Sequence, residues 1–252
     1  LKTLVLDLIQ NGLWNKMKAI YPMITDKYNL YSNTENFSAG WLVSNSSVTA
    51  SNVAGPYTSS LVANRLNEDS GSGIAPSIYQ TVALQSGSIY VMSTHARWNG
   101  RDYIVLNPDG NSSTWFDIRN GFVSSSVGTV ATASITRVSG SAANPSGSWY
   151  RCAMVFTSSV SAPSNTSIQL ATTDGVLTYD SLTGLSGSYL WGAQLEPGDF
   201  ISPYLSNNTG TAFTTGSILD QMKFNLKDPR DTDSAFRITY SGSWNGGYYG
   251  NR

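Results

Sequence analysis

The feature that most constrains this chain is a long region in which apolar and polar residues alternate in short runs. It extends from Trp41 to Glu196, and Gly, Ser, Asn and Pro separate the runs. A period of two places successive side chains on opposite faces of a strand, so each run predicts a half-buried strand. Ten runs follow one another at the spacing of an antiparallel sandwich or jelly roll. The predicted strands are 42–51, 60–66, 74–84, 87–97, 102–106, 114–118, 127–138, 149–158, 168–172 and 188–196.

Turn residues lie between the runs and predict where the chain reverses. Asn-Gly at 99–100 stands between two alternating runs and is the strongest hairpin signal, because its two residues readily adopt a tight reverse turn. Pro-Asp-Gly-Asn at 108–111 and Asn-Gly at 120–121 predict further turns. The chain is therefore expected to be mainly β.

The N-terminal residues follow a different pattern. Leu4, Val5, Leu8 and Ile9 recur at helical spacing, which predicts a short helical segment within residues 1–21. Gly12 is placed to end the first helix. The apolar stripe is broad, as expected of a helix that packs against a partner subunit or against its own chain.

A short echo marks the two edges of the alternating region. Lys-Tyr-Asn-Leu at 27–30 resembles Lys-Phe-Asn-Leu at 223–226. An inserted domain joins its host at two neighbouring points, because the ends of a sandwich usually lie close together. The predicted organisation is an N-terminal framework segment 1–27, an inserted sandwich 28–206, and a linker with a C-terminal framework segment 207–252 that begins a further β region.

Charge and composition limit the functions that this chain can serve. The 15 Lys and Arg residues are scattered and the net charge is −1, so we expect no nucleic-acid partner. No apolar run reaches about 18 residues, so we expect no membrane insertion. The single cysteine, Cys152, and the single histidine, His95, exclude an intrachain disulfide and the usual zinc sites. Cys152 alternates with apolar neighbours and is predicted to be a buried thiol.

We expect no enzyme activity. A glycosidase needs two carboxylates across a cleft, but Glu68 and Asp69 are adjacent and would point to opposite faces of a strand. Asp228, Asp231 and Asp233 lie in a turn-like segment in which capping and local ion pairing account for them. No phosphate-binding loop or nucleophile elbow is present.

Two separated segments carry a resemblance to a protein family. One reads Lys-Met-Lys-Ala-Ile-Tyr-Pro over 16–22, and the other reads Lys-Phe-Asn-Leu-Lys-Asp-Pro-Arg-Asp over 223–231, followed by Ala-Phe-Arg at 235–237. Together they resemble a motif of bacteriophage tail and virion structural proteins, in which the two pieces lie close together. Here the whole alternating region intervenes, which agrees with an insertion. The resemblance implies a virion component, tail or head, that is often a homotrimeric fibre contacting other virion proteins.

The alternating region carries a resemblance of its own. Its opening residues 29–41, the Trp-Tyr-Arg-Cys at 149–152 and the Leu-Trp-Gly-Ala-Gln-Leu-Glu at 190–196, with Pro203 and Tyr204, resemble the carbohydrate-binding jelly-roll modules of phage virion proteins. This resemblance implies a lectin-like sandwich. Trp41, Trp149 and Trp191 alternate with apolar neighbours and are predicted to be core residues.

Sugar binding requires flat aromatic faces and planar polar groups, and both kinds meet at the predicted hairpin tip 99–102. Trp98 and Tyr103 flank this tip, and Arg101 lies on it. In the strand 114–118, Trp115 and Asp117 have the phase opposite to the core-facing Phe116. The alternative is that these aromatics cap the sandwich edge or pack on a neighbouring subunit. The predicted glycan-facing residues are Trp98, Arg101, Tyr103, Trp115 and Asp117.

A structural calcium ion is common in such jelly rolls, although no other cofactor is expected. Glu35 near the start of the region and Glu196 at its end are expected to meet, and carboxylates with backbone carbonyls suit Ca²⁺.

Taken together, these patterns predict a bacteriophage virion structural protein on the particle surface. Its inserted sandwich would present a glycan-binding surface for attachment to host polysaccharide. Two alternatives remain at this point. One is a carbohydrate-binding module of a secreted carbohydrate-active protein, which would have no reason to carry the split motif. The other is a decoration domain with a purely structural role.

Overall fold

The computed structural model of the 252-residue chain describes residues 8–13, 28–57 and 62–208. These residues form an antiparallel β-sandwich, which confirms the predicted fold class. All ten predicted strands are present, and the described residues add short strands that the alternation did not separate. In chain order the strands are β1 Leu42–Ser44, β2 Ser46–Ala54, β3 Val62–Glu68, β4 Gly71–Ile74, β5 Ser77–Ala83, β6 Ile89–Asn99, β7 Tyr103–Asn107, β8 Ser113–Asp117, β9 Phe122–Val127, β10 Val130–Ser141, β11 Asn144–Thr157, β12 Pro163–Ala171, β13 Tyr179–Ser181 and β14 Gly187–Pro197.

The strands form two six-stranded sheets and one small two-stranded sheet. Sheet 1 has the order β1-β5-β12-β7-β8-β9, and sheet 2 has the order β10-β11-β6-β14-β3-β2. The strands β13 and β4 pair separately. The chain changes directly from one large sheet to the other at five places, which are β1 to β2, β5 to β6, β6 to β7, β9 to β10 and β11 to β12. Strands of the two sheets therefore alternate along the chain, as in jelly rolls.

The hydrophobic core lies between the two sheets. Met92 and Ala96 of β6 belong to the same buried cluster as Ile104 of β7 and Phe116 of β8. Burial of each large apolar side chain stabilises the fold by about 1.5–3 kcal/mol. Cys152 lies in this core with its side chain fully buried, and burial raises the pKa of its thiol. The prediction of a buried core thiol is confirmed.

The Asn-Gly sequence at 99–100 does not form the predicted hairpin. The strand before it, β6, pairs with β11 and β14 in sheet 2, whereas the strand after it, β7, pairs with β12 and β8 in sheet 1. Gly100 has a φ of 102°, which lets the chain turn from one sheet to the other. The predicted turns at 108–111 and 120–121 do join paired strands, β7 to β8 and β8 to β9.

The N-terminal segment is described only at residues 8–13. It forms a helical turn at 8–10, and the amides of Gly12 and Leu13 donate to the carbonyls of Ile9 (3.0 Å) and Leu8 (2.9 Å). Gly12 has a φ of 66°, so the helix ends in the glycine-dependent motif that was predicted. The rest of the predicted helix and the segments 16–22, 223–231 and 235–237 lie outside the described residues. In the described part, no helix has the length and apolar character that a membrane span requires.

The described residues of the sandwich form a compact unit, and its two described ends lie side by side. The buried Asn29 amide donates to the carbonyls of Ala193 (2.9 Å) and Leu205 (2.8 Å), and its oxygen accepts from the amide of Leu195 (3.1 Å). Asn207 donates from its side-chain amide to the Tyr31 carbonyl (2.8 Å). An insertion requires such adjacent ends, and the domain boundaries stay a prediction.

Candidate functional site

Trp98 and Arg101 do not form an exposed recognition surface at the β6–β7 connection. Trp98 is half-buried against the core, and its Nε1 donates to Oδ1 of Asp102 (2.8 Å). The guanidinium of Arg119 lies 5.7 Å from the centre of the Trp98 ring. Trp98 therefore packs at one end of the core. This position agrees with the alternative that the aromatic residues cap the sandwich edge.

Arg101 is held in a buried ion pair. Its Nε and Nη2 donate to the two carboxylate oxygens of Glu68, both at 2.5 Å, and the Glu68 side chain is completely buried. The Tyr179 hydroxyl also donates to Glu68 (2.9 Å). Burial by itself would raise the pKa of Glu68, but the hydrogen bonds from Arg101, Ser181 and Tyr179 outweigh it and lower this pKa below its usual value. The ion pair between Arg101 and Glu68 therefore stabilises the fold.

Trp115 and Asp117 have the predicted phase but not the predicted exposure. Trp115 points away from the core, yet it is only 2% exposed because the segment 172–178 covers it. Its Nε1 donates to the Val176 carbonyl (3.1 Å), and Leu177 packs against it. Asp117 is buried and accepts from the backbone amide (2.8 Å) and the side-chain amide (2.9 Å) of Asn120. The strand pattern could not reveal the covering segment, which comes from about sixty residues later in the chain.

Tyr103 is the remaining residue of the predicted set. It is half-buried beside the Trp115 cluster, on the face of sheet 1 that points away from the core. Burial and the nearby carboxylates, Asp117 foremost, raise the pKa of its hydroxyl. Tyr103, Trp115 and Asp117 thus share the outer face of sheet 1, where Tyr103 and Asp117 are cross-strand neighbours, whereas Trp98 and Arg101 lie apart from them.

Glu35 and Glu196 do not fit a calcium site. Glu196 is buried, and its two oxygens accept from the backbone amide (3.0 Å) and the hydroxyl (2.6 Å) of Ser202. Glu35 accepts from the Tyr204 hydroxyl (3.2 Å) and the Asn208 amide (3.0 Å). Within the described ranges, no group of three or more His, Cys, Asp or Glu side chains could hold a metal ion. The two carboxylates bind separate protein donors, Ser202 for Glu196, and Tyr204 with Asn208 for Glu35.

A different set of side chains forms a row on the outer face of sheet 2, the face that points away from sheet 1. Arg65 of β3 and Arg97 of β6 are the direct cross-strand neighbours of Tyr189 of β14. Thr49 of β2 extends the row beyond Arg65. Each has core residues as its neighbours in sequence, so alternation directs these four side chains outward. Four strands about 4.8 Å apart make the row about 14 Å long.

The row is partly exposed and combines an aromatic ring with planar cationic groups. Arg65, Tyr189 and Arg97 are half-buried, and Thr49 is exposed. Tyr189 packs against a small cluster that contains Trp149 and Trp191. Arg65 donates from Nη2 to the Leu185 carbonyl (2.7 Å), and with the Asn99 amide oxygen turned towards it, Nη2 also donates to Asn99 (3.2 Å). The row therefore presents one anchored guanidinium, one aromatic ring and a second guanidinium.

The same outer face is closed farther along the strands. His95, two residues from Arg97, is fully buried, and its Nδ1–H donates to the Gly192 carbonyl (3.2 Å). Its Nε2 then accepts from the Tyr57 hydroxyl (2.9 Å). Arg151 is the cross-strand neighbour of His95 and donates to the Ser202 carbonyl (2.7 Å). Residues 202–205 and Tyr57 thus cover this part of the face, and the row of Thr49, Arg65, Tyr189 and Arg97 remains open.

His95 makes the stability of the sandwich depend on pH. Burial and the charge of Arg151 lower the pKa of His95 to about 4, so the folded imidazole is neutral. The unfolded imidazole takes up its proton near pH 6.5, so the stabilisation is complete above that pH and declines as pH falls towards 4. We expect a loss of about 3 kcal/mol in unfolding free energy over this range.

Urea unfolding of the wild type and of His95→Gln at several pH values measures this effect. We expect the variant to be less stable at neutral pH. Its unfolding free energy should fall less steeply than that of the wild type between pH 6.5 and 4, because it lacks the histidine. Equal slopes for the two proteins would contradict the assignment, because all other acids titrate in both.

The row was missed in the sequence for an identifiable reason. Tyr189 lies two residues before Trp191 and has the same phase. Because Trp191 was predicted to be a core residue, alternation predicted a buried Tyr189 as well. More than thirty residues separate Arg65 from Arg97, and more than ninety separate Arg97 from Tyr189. Only the strand order β3-β14-β6 makes the three side chains neighbours. The phase of Arg97 relative to the core-facing Ala96 was the one local signal.

Comparisons with known proteins give no family. No family model matches this chain, and no curated protein matches it. Among solved structures, the enzymatically active domain of tailspike protein 4 of bacteriophage CBA120 is 14% identical, with a TM-score of 0.40, and the match covers 68% of this chain and 21% of that one. This chain therefore matches only a small part of the tailspike.

Two further matches are to xylan-related proteins. The CBM22-1 and GH10 modules of endo-1,4-β-D-xylanase 10B from Clostridium thermocellum, complexed with xylohexaose, match at 14% identity and a TM-score of 0.38, covering 71% of this chain and 30% of that one. The CBM22-1 xylan-binding domain from Paenibacillus barcinonensis matches at 11% identity and 0.34, covering 68% and 92%. Each TM-score is low, so the function of this chain has to be inferred from its own residues.

Proposed function

We propose that the sandwich is a glycan-binding domain carried by a bacteriophage virion structural protein. The observation that carries the binding role is the open row of Arg65, Tyr189 and Arg97 on sheet 2. The split motif at 16–22 and 223–231 and the adjacent ends of the sandwich support the virion role. In this proposal the framework segments fix the protein in the particle, as a homotrimer among other virion proteins. The sandwich faces outward and attaches the particle to host polysaccharide.

The chemistry of the row suits a sugar. One face of a pyranose ring is apolar and packs on an aromatic ring such as that of Tyr189, while its hydroxyls project to the sides. A guanidinium carries five donors in a rigid plane and can bind two neighbouring oxygens at once. Because Arg65 and Arg97 flank Tyr189 in register, a ring stacked on the tyrosine places its hydroxyls within reach of both. The rigid strands hold the three groups in position before the ligand arrives.

The proposal is tested on an array of bacterial surface polysaccharides with the full 252-residue chain. Tyr189→Ala removes the stacking surface, and we expect a loss of about tenfold or more in affinity, since truncating a central aromatic contact commonly costs at least about 2 kcal/mol. Tyr79→Ala is the matched control. Tyr79 is also half-buried on a strand, but it belongs to sheet 1, where it pairs with Leu42 and Ser167.

Each outcome of this experiment has a defined meaning. Equal losses in both variants would place the binding surface elsewhere, and an array that stays silent with folded protein would favour a decoration domain. Light scattering distinguishes the two settings of a binding domain. A stable trimer supports a virion fibre, whereas a monomer favours a module of a secreted carbohydrate-active protein.

A further inference from the structure

We infer that the row of Thr49, Arg65, Tyr189 and Arg97 binds an acidic polysaccharide through carboxylate, sulfate or phosphate groups on its sugars. This inference rests on the proposed glycan-binding function and narrows the class of ligand.

The first support is the distribution of charge over the sandwich. Residues 28–208 contain six arginines, no lysine and ten acidic residues, so this part of the chain has a formal charge of −4. Sheet 2 departs from that balance. Its six strands contain Arg65, Arg97, Arg137 and Arg151 but only two acids, Glu68 and Glu196.

Neither acid of sheet 2 is available on its surface. Glu68 is buried in the ion pair with Arg101, and Glu196 is buried beside Ser202. Of the four arginines, Arg151 is covered by residues 202–205, and Arg137 is the cross-strand neighbour of the core residue Tyr150. The outer face of sheet 2 therefore presents the positive charge of Arg65 and Arg97, and its strands add no exposed carboxylate. A local positive surface of this kind attracts anionic ligands, and it has no carboxylate that would repel them.

The second support is that both guanidiniums of the row lack an acidic partner. Arg65 is held only by neutral oxygens, those of Leu185 and Asn99. Arg97 makes no ion pair or hydrogen bond with any residue that the structure describes.

Arg65 and Arg97 lie on the two strands that border β14, about 10 Å apart, so one polymer lying across Tyr189 can reach both guanidiniums. Both guanidiniums are half-buried, where charge-assisted hydrogen bonds are stronger than in open water. A sugar ring stacked on Tyr189 carries its acidic substituent to one of them. A repeating acidic polymer supplies a second such group to the other.

The test compares pairs of polymers that differ only in charge. The full chain is titrated onto immobilised polygalacturonate and its fully methyl-esterified form, and onto dextran sulfate and dextran. A glycerol-phosphate polymer forms the phosphate arm, so the arms separate carboxylate, sulfate and phosphate ligands. We expect at least one charged polymer to bind about tenfold more tightly than its neutral or esterified counterpart, with an affinity that falls as salt rises.

Arg97→Gln is expected to remove most of this preference without changing the melting temperature, because its side chain makes no hydrogen bond within the described residues. Arg119→Gln is the matched control, since it removes an exposed arginine outside the row and should leave the preference intact.

The outcomes separate this inference from the proposed function. Glycan binding that Tyr189→Ala abolishes, with equal affinity for charged and neutral polymers, would overturn the acidic ligand and leave the proposed function standing. Absence of binding to any glycan, on these polymers and on the array, would overturn the proposed function itself. Equally tight binding to duplex DNA would show an unselective cationic surface and would also overturn the inference.

Discussion

Replacing Trp115 with alanine is expected to lower the unfolding free energy by about 3–5 kcal/mol and to leave glycan binding unchanged. Trp115 is almost fully buried with Val105 and Ala171, so its removal leaves a cavity that the rigid sheet cannot close. The carbonyl of Val176 would also lose the hydrogen bond from Nε1. The effect is therefore one on folding, although the sequence alone suggested a ligand contact.

Denaturant unfolding and a binding titration, made on the same samples, decide between the two roles. Trp115→Phe keeps most of the packing and is expected to lose clearly less stability than Trp115→Ala. Tyr189→Ala gives the opposite pattern, with weaker binding and a small change in stability. A stable Trp115→Ala variant that no longer binds glycan would restore the sequence-based interpretation of this residue.

Replacing Arg101 with alanine is the second change with a large expected effect, a loss of about 3–5 kcal/mol. The substitution leaves the Glu68 carboxylate charged inside the protein without its counter-ion. It also removes the cation that lies 5.0 Å from the centre of the Tyr179 ring, and with it the contacts from the β6–β7 connection to β3 and β13. Urea unfolding at neutral pH measures the loss.

Arg119→Ala is the natural control, because Arg119 also pairs with a carboxylate but is 56% exposed. Such a surface pair is worth at most about 1 kcal/mol. The double variant Arg101→Met with Glu68→Leu is expected to recover much of the lost stability, since it removes the unpaired charge. Equal losses for Arg101→Ala and Arg119→Ala would show that the ion pair contributes no more than a surface contact.

Some features of the protein were predictable from local sequence because local physics controls them. Gly12 ends its helix through a conformation that favours glycine, and the turns at 108–111 and 120–121 follow from their residue types. The phase of Cys152 and of Trp115 along their strands was also correct, since alternation is a property of each strand.

Other features failed because they depend on which strands become neighbours. The Asn-Gly at 99–100 has the composition of a hairpin, but β6 pairs in sheet 2 and β7 in sheet 1, so the chain passes from one sheet to the other there. Arg101 consequently meets Glu68, which lies more than thirty residues away, and its Nε and Nη2 bind that carboxylate. Glu35 and Glu196 satisfy separate donors in the closing segment for the same reason.

The sequence by itself determined that this chain forms an antiparallel sandwich with a buried thiol and short turns. Those properties come from alternation and turn chemistry within a few residues. Only the tertiary structure decided which aromatic and charged side chains remain at the surface. Burial depends on strand order and on covering segments such as 172–178. That segment covers Trp115, whereas Arg65, Tyr189 and Arg97 lie side by side on a part of sheet 2 that stays accessible.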